Sequence, residues 1–312
     1  IAAVHPPYGI FLEDQIARMG ANHPIIRTQY FCQEIDAQSA MFNAGRMAMI
    51  FGTHPLPNPP PFEYECGRGP HAFLIDVAGQ DEAASDLEGL SNPGRDSTTL
   101  SIVEVDLSTL ETLQAPTYRV VMRYSWTGEN HLAIFGKLKA LAETWYPEQI
   151  VIDATGVGEG LWAMLDKAFR TRVIPVKFTR QTKSEIGWKF LSIIETGRFQ
   201  DRYTSPPPQP VSASLQHASR SSIRVRMGEG VNPDDVRLQY ARCESTILPG
   251  PQKTLRWGVP DGTRGPDGEL VHDDFILADS LVAVLDKLHW TSHSPTLIVQ
   301  GRDPLEEMDR NY

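Results

Sequence analysis

The chain has 312 residues and a net charge of −10, with 41% hydrophobic and 22% charged side chains. Those proportions suit a globular protein with a sizeable core, and no run of about 18 apolar residues offers a membrane span. The acidic balance argues against a strong stand-alone nucleic-acid binder unless basic residues gather locally. Cys32, Cys66 and Cys243 form no C-x-x-C pair, which argues against a disulfide framework or a zinc site and suits a reducing compartment.

The sequence opens at Ile1 with no secretory leader, which reads as a piece of a longer protein. Residues 10–19 read as a helix and 25–34 as a strand. Residues 54–62 hold five prolines in nine positions, which predicts an extended linker and the best domain boundary. Runs rich in Val, Ile, Thr and Tyr then predict strands at 72–76, 98–106 and 118–126. The connections between them are too irregular for crossover helices, so the three strands are expected to form an antiparallel meander.

From Asn130 the rhythm becomes α/β. A helix is predicted over 130–145 with Leu132, Phe135, Leu138 and Leu141 on its apolar face. A strand at 149–153, a helix at 161–169 and a strand at 173–178 follow. Thr182-Lys-Ser-Glu185 reads as a capping box opening a helix over 184–196. Residues 205–233 are rich in Pro, Ser and Arg and predict a long excursion. A helix at 234–243, a strand at 253–259 and a last helix at 273–289 complete the order.

Three acidic stations stand out. Asp76 and Asp153 each end an apolar strand and are followed by a glycine three residues on (Gly79 and Gly156). A carboxylate ending a buried strand sits at a sheet rim, where it can face a cleft. His272-Asp273-Asp274 opens the last helix. Carboxylates gathered from such places could hold a divalent cation, the arrangement that metal-assisted phosphodiester hydrolysis needs. Each acid also has a local explanation: Asp76 as a turn residue, Asp273 or Asp274 as a helix cap. The glycines after Asp153 admit a dinucleotide site, but their spacing is G-x-G-x-G and no acidic strand end follows. On the last helix Leu277, Leu281, Val284 and Leu288 form a stripe, with Asp273 and Asp274 flanking it. Asp279 falls opposite beside Asp286 and reads as a solvated acid. Between Asp273 and Asp274 the direct ligand stays open. Asp81 and His272 are secondary metal candidates, and Arg180, Lys183 and Lys189 are candidate phosphate contacts, with Arg198 beside them.

Three antiparallel strands followed by helix, strand, helix, strand and helix give an RNase H-like α/β fold, a mixed sheet flanked by helices. With that order, Asp76-Val-Ala-Gly79, Ile152-Asp153 with Gly156 and Gly158, and His272-Asp-Asp274 with Ala278 resemble the nuclease domain of the bacteriophage large terminase subunit. Gln29-Tyr30 and Cys32-Gln-Glu34 resemble the tail that joins that family's ATPase motor to its nuclease. The resemblance implies a motor tail at 1–52, a Pro-rich linker at 53–70, a nuclease domain at 71–290 and a C-terminal tail at 291–312.

It further implies a metal-dependent endonuclease acting on concatemeric double-stranded viral DNA, with Asp76 bridging two Mg²⁺ or Mn²⁺ ions held also by Asp153 and Asp273 or Asp274. Double-stranded DNA, a small terminase subunit and the portal are the implied partners, in the host cytoplasm and with no membrane. No G-x-x-x-x-G-K-[ST] loop is present, so no ATPase activity is expected of this chain. The rival readings are another RNase H-like nuclease of resolvase or transposase type and a non-catalytic module docking on the motor.

Overall fold

The computed structural model describes residues 6–21, 26–32, 38–52, 70–79, 96–201, 231–249 and 253–290. Its centre is a six-stranded sheet built from β2 (His71–Asp76), β3 (Ser97–Asp106), β4 (Thr117–Thr127), β5 (Gln149–Asp153), β6 (Val173–Val176) and β7 (Phe199–Gln200). The strand order is β6-β5-β2-β3-β4-β7. The expected meander is there: β2 pairs antiparallel with β3, and β3 with β4. β5 runs parallel to β2 and β6 parallel to β5. This is the RNase H-like mixed sheet.

Strand alternation assigns the two faces. Phe73 and Ile75 of β2 and Ile150 and Ile152 of β5 pack beneath α4 (His131–Trp145) and α5 (Gly158–Phe169). Ala72, Leu74 and Val151 face the opposite way, toward α6 (Arg180–Glu195) and the C-terminal helices α8 (Asp274–Ser280) and α9 (Val282–Leu285). Asp76 and Asp153 share the parity of Leu74 and Val151, so both point to the α6/α8 face. Ile75 pairs with Ile152, which sets these two aspartates side by side at the next position, where neighbouring strands run about 4.8 Å apart. A bulge shifts the β3/β4 register, pairing Ile102 with Met122 but Val103 with Val120. The extra residue, Val121, reverses the alternation of β4, so Val120 and Arg123 both reach the α8 side.

A second, three-stranded sheet lies against α6. It joins β1 (Gln38–Ala40) to the hairpin of β8 (Glu244–Ile247) and β9 (Leu255–Gly258), all antiparallel, with α7 (Pro233–Arg242) leading into β8. The N-terminal elements therefore pack into the fold. Arg46 of α2 (Ala44–Ile50) bonds Glu195 of α6 at 2.5 Å and 2.9 Å, and Ser192 donates to the carbonyl of Arg18 in α1 (Pro6–Met19). Residues 53–69, which carry most of the expected linker, lie outside the described residues, as do 202–230 and 291–312.

Several local expectations are corrected. Of the strand expected at 25–34, the described residues 26–32 are not a strand: Ile26–Tyr30 form a single π-helical turn. α6 begins at Arg180, four residues before the expected start. Its N-cap is Thr179, and Thr182 completes the capping box from the third helical position, which the S/T-x-x-E/Q pattern overlooks. α4 buries Ile134, Leu138, Ala142 and Trp145, while Leu132 is 68% exposed, so the periodicity holds but the face is rotated. The C-terminal helix breaks into α8 and α9 and is buried on nearly every side. A helix enclosed all round has no polar face to read. Asp279 is accordingly not a solvated acid but fully enclosed, bonded to both guanidinium nitrogens of Arg123 at 2.8 Å and to the Tyr240 hydroxyl at 2.6 Å.

Candidate metal centre

Asp76, Asp153 and Asp274 are each more than nine-tenths buried, and the charges of Asp153 and Asp274 both act on Asp76 near the ends of β2 and β5; among the described residues their oxygens do not form a set lying within 4.8 Å of one another. Two of them have local donors. The Thr155 amide donates to Asp153 Oδ1 at 2.8 Å, and the Ser97 amide to Asp274 Oδ2 at 2.9 Å. Thr99, the antiparallel partner of Asp76, donates its hydroxyl to the backbone carbonyl of Asp274, bolting α8 to the sheet at this point. Asp76 differs. Among the described residues no group donates to its carboxylate, although it is only 6% exposed.

Burial is the main cause that raises the Asp76 carboxyl well above the ordinary range, and the charges of Asp274, Asp153 and Asp273 push it further. Burial likewise raises Asp153 and Asp273, and it pushes Asp274 up to about 7. One cation opposes this. The Lys183 ammonium lowers Asp76, Asp153 and Asp273 together.

Asp273 is oriented otherwise than Asp274. Its carboxylate accepts from the Val259 amide and lies 3.8 Å from Lys183 Nζ. Gly258 ends β9 at φ +149°, and a Cβ there would stand 2.7 Å from Asp273 Oδ2, so only glycine lets the strand pass this close. Gly158 plays the same part for Asp153: a Cβ would meet its carbonyl oxygen at 2.1 Å.

His272 Nδ1 lies 2.6 Å from Asp96 Oδ1, and Asp96, His272 and Asp274 each bring one ligand atom within 4.8 Å of the others. Asp96 escaped the sequence reading. It stands three residues before Thr99, so pairing β2 with β3 would have brought it to the same rim. Asp81 lies outside the described residues. Of the basic candidates, Lys183 is at the acids and Arg180 is exposed one turn away at the start of α6. Lys189 and Arg198 sit elsewhere, both on Asp286 at 2.7 Å and 2.6 Å.

Asp76, Asp153 and Asp274 would offer a metal only carboxylate oxygens, which fits a hard dication such as Mg²⁺ or Mn²⁺ better than a soft metal, whereas the set already lying within 4.8 Å, Asp96, His272 and Asp274, adds an imidazole nitrogen. The stronger sign of fit is Asp76 itself. A buried carboxylate beside three others, with no donor among the described residues, is neutralised either by a proton or by a cation.

Residues 78–201, from just past Asp76 through Asp153 to the end of β7, match the family model described as Terminase RNaseH-like domain. Those residues are similar to a terminase RNase H-like domain. The chain is 24% identical over 149 residues to the probable terminase ATPase subunit of Haemophilus phage HP1; the match takes in 46% of this chain and 24% of that protein. The chain thus spans about a quarter of that relative's length. Among solved structures it is similar to the large terminase nuclease of thermophilic phage G20c with bound magnesium, at 14% identity and a TM-score of 0.45, covering 78% of this chain and 96% of that one. It is also similar to the nuclease domain of the large terminase subunit gp2 of bacterial virus Sf6, at 8% identity and a TM-score of 0.45, covering 81% and 100%. Among the described residues no helix is long and apolar enough to cross a membrane.

Proposed function

We propose that this chain is the metal-dependent endonuclease part of a phage large terminase, hydrolysing phosphodiester bonds of double-stranded viral DNA. The observation that carries this reading is the buried carboxylate of Asp76, without a donor among the described residues and beside Asp153, Asp273 and Asp274; the stretch similar to a terminase RNase H-like domain begins just after Asp76 and contains Asp153. Asp76, Asp153 and Asp274 hold the metal. Its bound dications, two in this reading, supply Lewis-acid polarisation of the phosphate and an activated water.

The protein's own groups prepare that site. The Thr155 and Ser97 amides fix one oxygen each of Asp153 and Asp274, leaving the second oxygen of each for a cation. Gly158 lets α5 close against Asp153, and Thr99 holds the first turn of α8 over Asp76. No histidine general base is required when the cation activates the water. His272, bonded to Asp96, borders the site and orients that exposed carboxylate beside Asp274. By resemblance the small terminase subunit and the portal are partners, the host cytoplasm is the setting, and ATP turnover belongs to a part of the motor outside this sequence.

Plasmid cleavage in Mn²⁺ and in Mg²⁺ tests the proposal. The unsubstituted chain is expected to nick and linearise supercoiled DNA, and Asp76→Asn or Asp153→Asn to lower the rate by at least about 100-fold, the scale of a lost metal-stabilised transition state. Undiminished cleavage by either variant contradicts it. Preference for branched over linear duplex would instead favour a resolvase-type nuclease.

A further inference from the structure

An acidic chain that brings four carboxylates to one rim faces an electrostatic difficulty with a polyanionic substrate, even when metal is bound. A fixed cation at the rim answers it. Among the described residues, three other cations around this face are committed, while Arg180 lies exposed one turn away. Arg123 is enclosed with Asp279 and Asp201, and Arg198 and Lys189 meet at Asp286. Lys183 is different, being 32% exposed at its side chain and held from several sides.

Its Nζ stands 4.9 Å above the centroid of the Trp257 ring, within cation–π range. The same indole donates through Nε1 to the Lys183 carbonyl at 2.8 Å and is 4% exposed. Gly187, one turn along α6, makes room for the ring: a Cβ there would lie 2.2 Å from Trp257 Nε1. Two further bonds lock β9 to α6, from the Leu255 amide to Ser184 Oγ at 2.8 Å and from Trp188 Nε1 to the Lys253 carbonyl at 3.0 Å. Asp273 Oδ2 stands 3.8 Å from the same ammonium; this carboxylate already accepts from the Val259 amide, and Gly258 is pressed against it.

We infer that Lys183 contacts a DNA phosphate at this site, that Trp257 is its positioning residue, and that Asp273 anchors the ammonium instead of ligating metal. The inference rests on the nuclease reading and deepens it, assigning the two adjacent acids opposite duties: Asp274 to the cation site with Asp76, Asp273 to the lysine. Long, flexible lysine chains contact phosphate as point charges, and this one reaches the rim already oriented by an aromatic plate and a carboxylate.

The test uses the full chain and three readouts: duplex binding by fluorescence anisotropy across a salt series, steady-state plasmid cleavage, and Mn²⁺ titration calorimetry. Lys183→Met is expected to reduce the slope of log affinity against log salt by about 1, to raise KM at least tenfold with a smaller change in kcat, and to leave Mn²⁺ affinity within about threefold. Lys183→Arg keeps the charge and should keep the slope. Trp257→Leu should reproduce Lys183→Met, whereas Trp257→Phe, which retains a ring beneath the ammonium, should lie near the unsubstituted chain.

Asp273→Asn should keep Mn²⁺ binding and Asp274→Asn should lose it. An unchanged salt slope in Lys183→Met, or loss of Mn²⁺ binding in Asp273→Asn equal to that in Asp274→Asn, overturns the inference. Failure of the unsubstituted chain to cleave at all sinks the nuclease reading instead, and the anisotropy slope still judges Lys183. If Trp257→Leu unfolds the chain, the Lys183→Met and Lys183→Arg pair decides the matter.

Discussion

Asp274 and Asp279 lie five residues apart on one helix, both buried, yet their surroundings are opposite. Asp279 is clasped by Arg123 and Tyr240, and Arg123 also binds Asp201 and Ser101 and stacks over Phe275. Asp286 further on is likewise saturated: Arg198, Lys189 and the Tyr118 hydroxyl surround it, and the hydrogen bonds and charges of Arg198 and Lys189 hold its carboxyl below the ordinary range against the opposing effect of burial. Asp274, by contrast, shares its environment with three carboxylates and is pushed up to about 7 by burial. Where a carboxylate serves to hold this fold together, the protein supplies its cation. At the β2/β5 rim the described residues supply Lys183 and, beside Asp274, His272, an asymmetry that supports the proposed cation site.

The comparison can be broken first at its neutralised end. Arg123→Met leaves Asp279 buried and unpaired, and is expected to cost about 3–5 kcal/mol of stability in urea unfolding. The double variant Arg123→Met/Asp279→Leu should recover much of that loss. Equal losses in the single and double variants would show that packing, not charge pairing, is at stake. Arg46→Ala should cost less, about 1.5–3 kcal/mol, the range for a hydrogen bond between charged groups, because it leaves Glu195 without its guanidinium.

At the unneutralised end the sign reverses. Asp76→Asn removes a buried charge that has no donor among the described residues, so at pH 8 without metal it should stabilise the chain by on the order of 1 kcal/mol, or about 2–4 °C in Tm. Destabilisation there would mean that Asp76 is already satisfied. The pH dependence sharpens the same contrast. Asp274 in the folded chain titrates near 7, above the ordinary 3.8. Between those values the unfolded chain has lost its proton and the folded one keeps it, so metal-free stability falls as pH rises from about 4 to about 7. The Tm increase produced by Mn²⁺ should therefore be larger at pH 8 than at pH 5.5, when protons no longer compete. Asp286, with its lowered carboxyl, works oppositely: its contribution is present above about pH 4 and is lost as pH falls further.

Much of this was legible in the residues. Apolar strands ending on Asp76 and Asp153, and the acidic opening of α8, gave the stations, because strand parity and helix starts leave local signatures. The antiparallel-then-parallel sheet followed from element order. What stayed hidden depends on distant partners. Asp279 was misread because a helix enclosed on all sides has no polar face, and its partner Arg123 reaches it only through the bulge at Val121 in β4. Asp96 needed the β2/β3 register. Gly187, Trp257 and Gly258 owe their importance to a contact between α6 and β9 about seventy residues apart, and the one local hint was a glycine ending a strand.

The central claim is that the β2/β5 rim binds a dication. Anomalous diffraction from a crystal of the chain soaked in Mn²⁺ addresses it most directly. Strong density bounded by Asp76, Asp153 and Asp274, absent from Asp76→Asn crystals, is the predicted result. Manganese bound elsewhere, or no density at that rim at millimolar Mn²⁺, would contradict it.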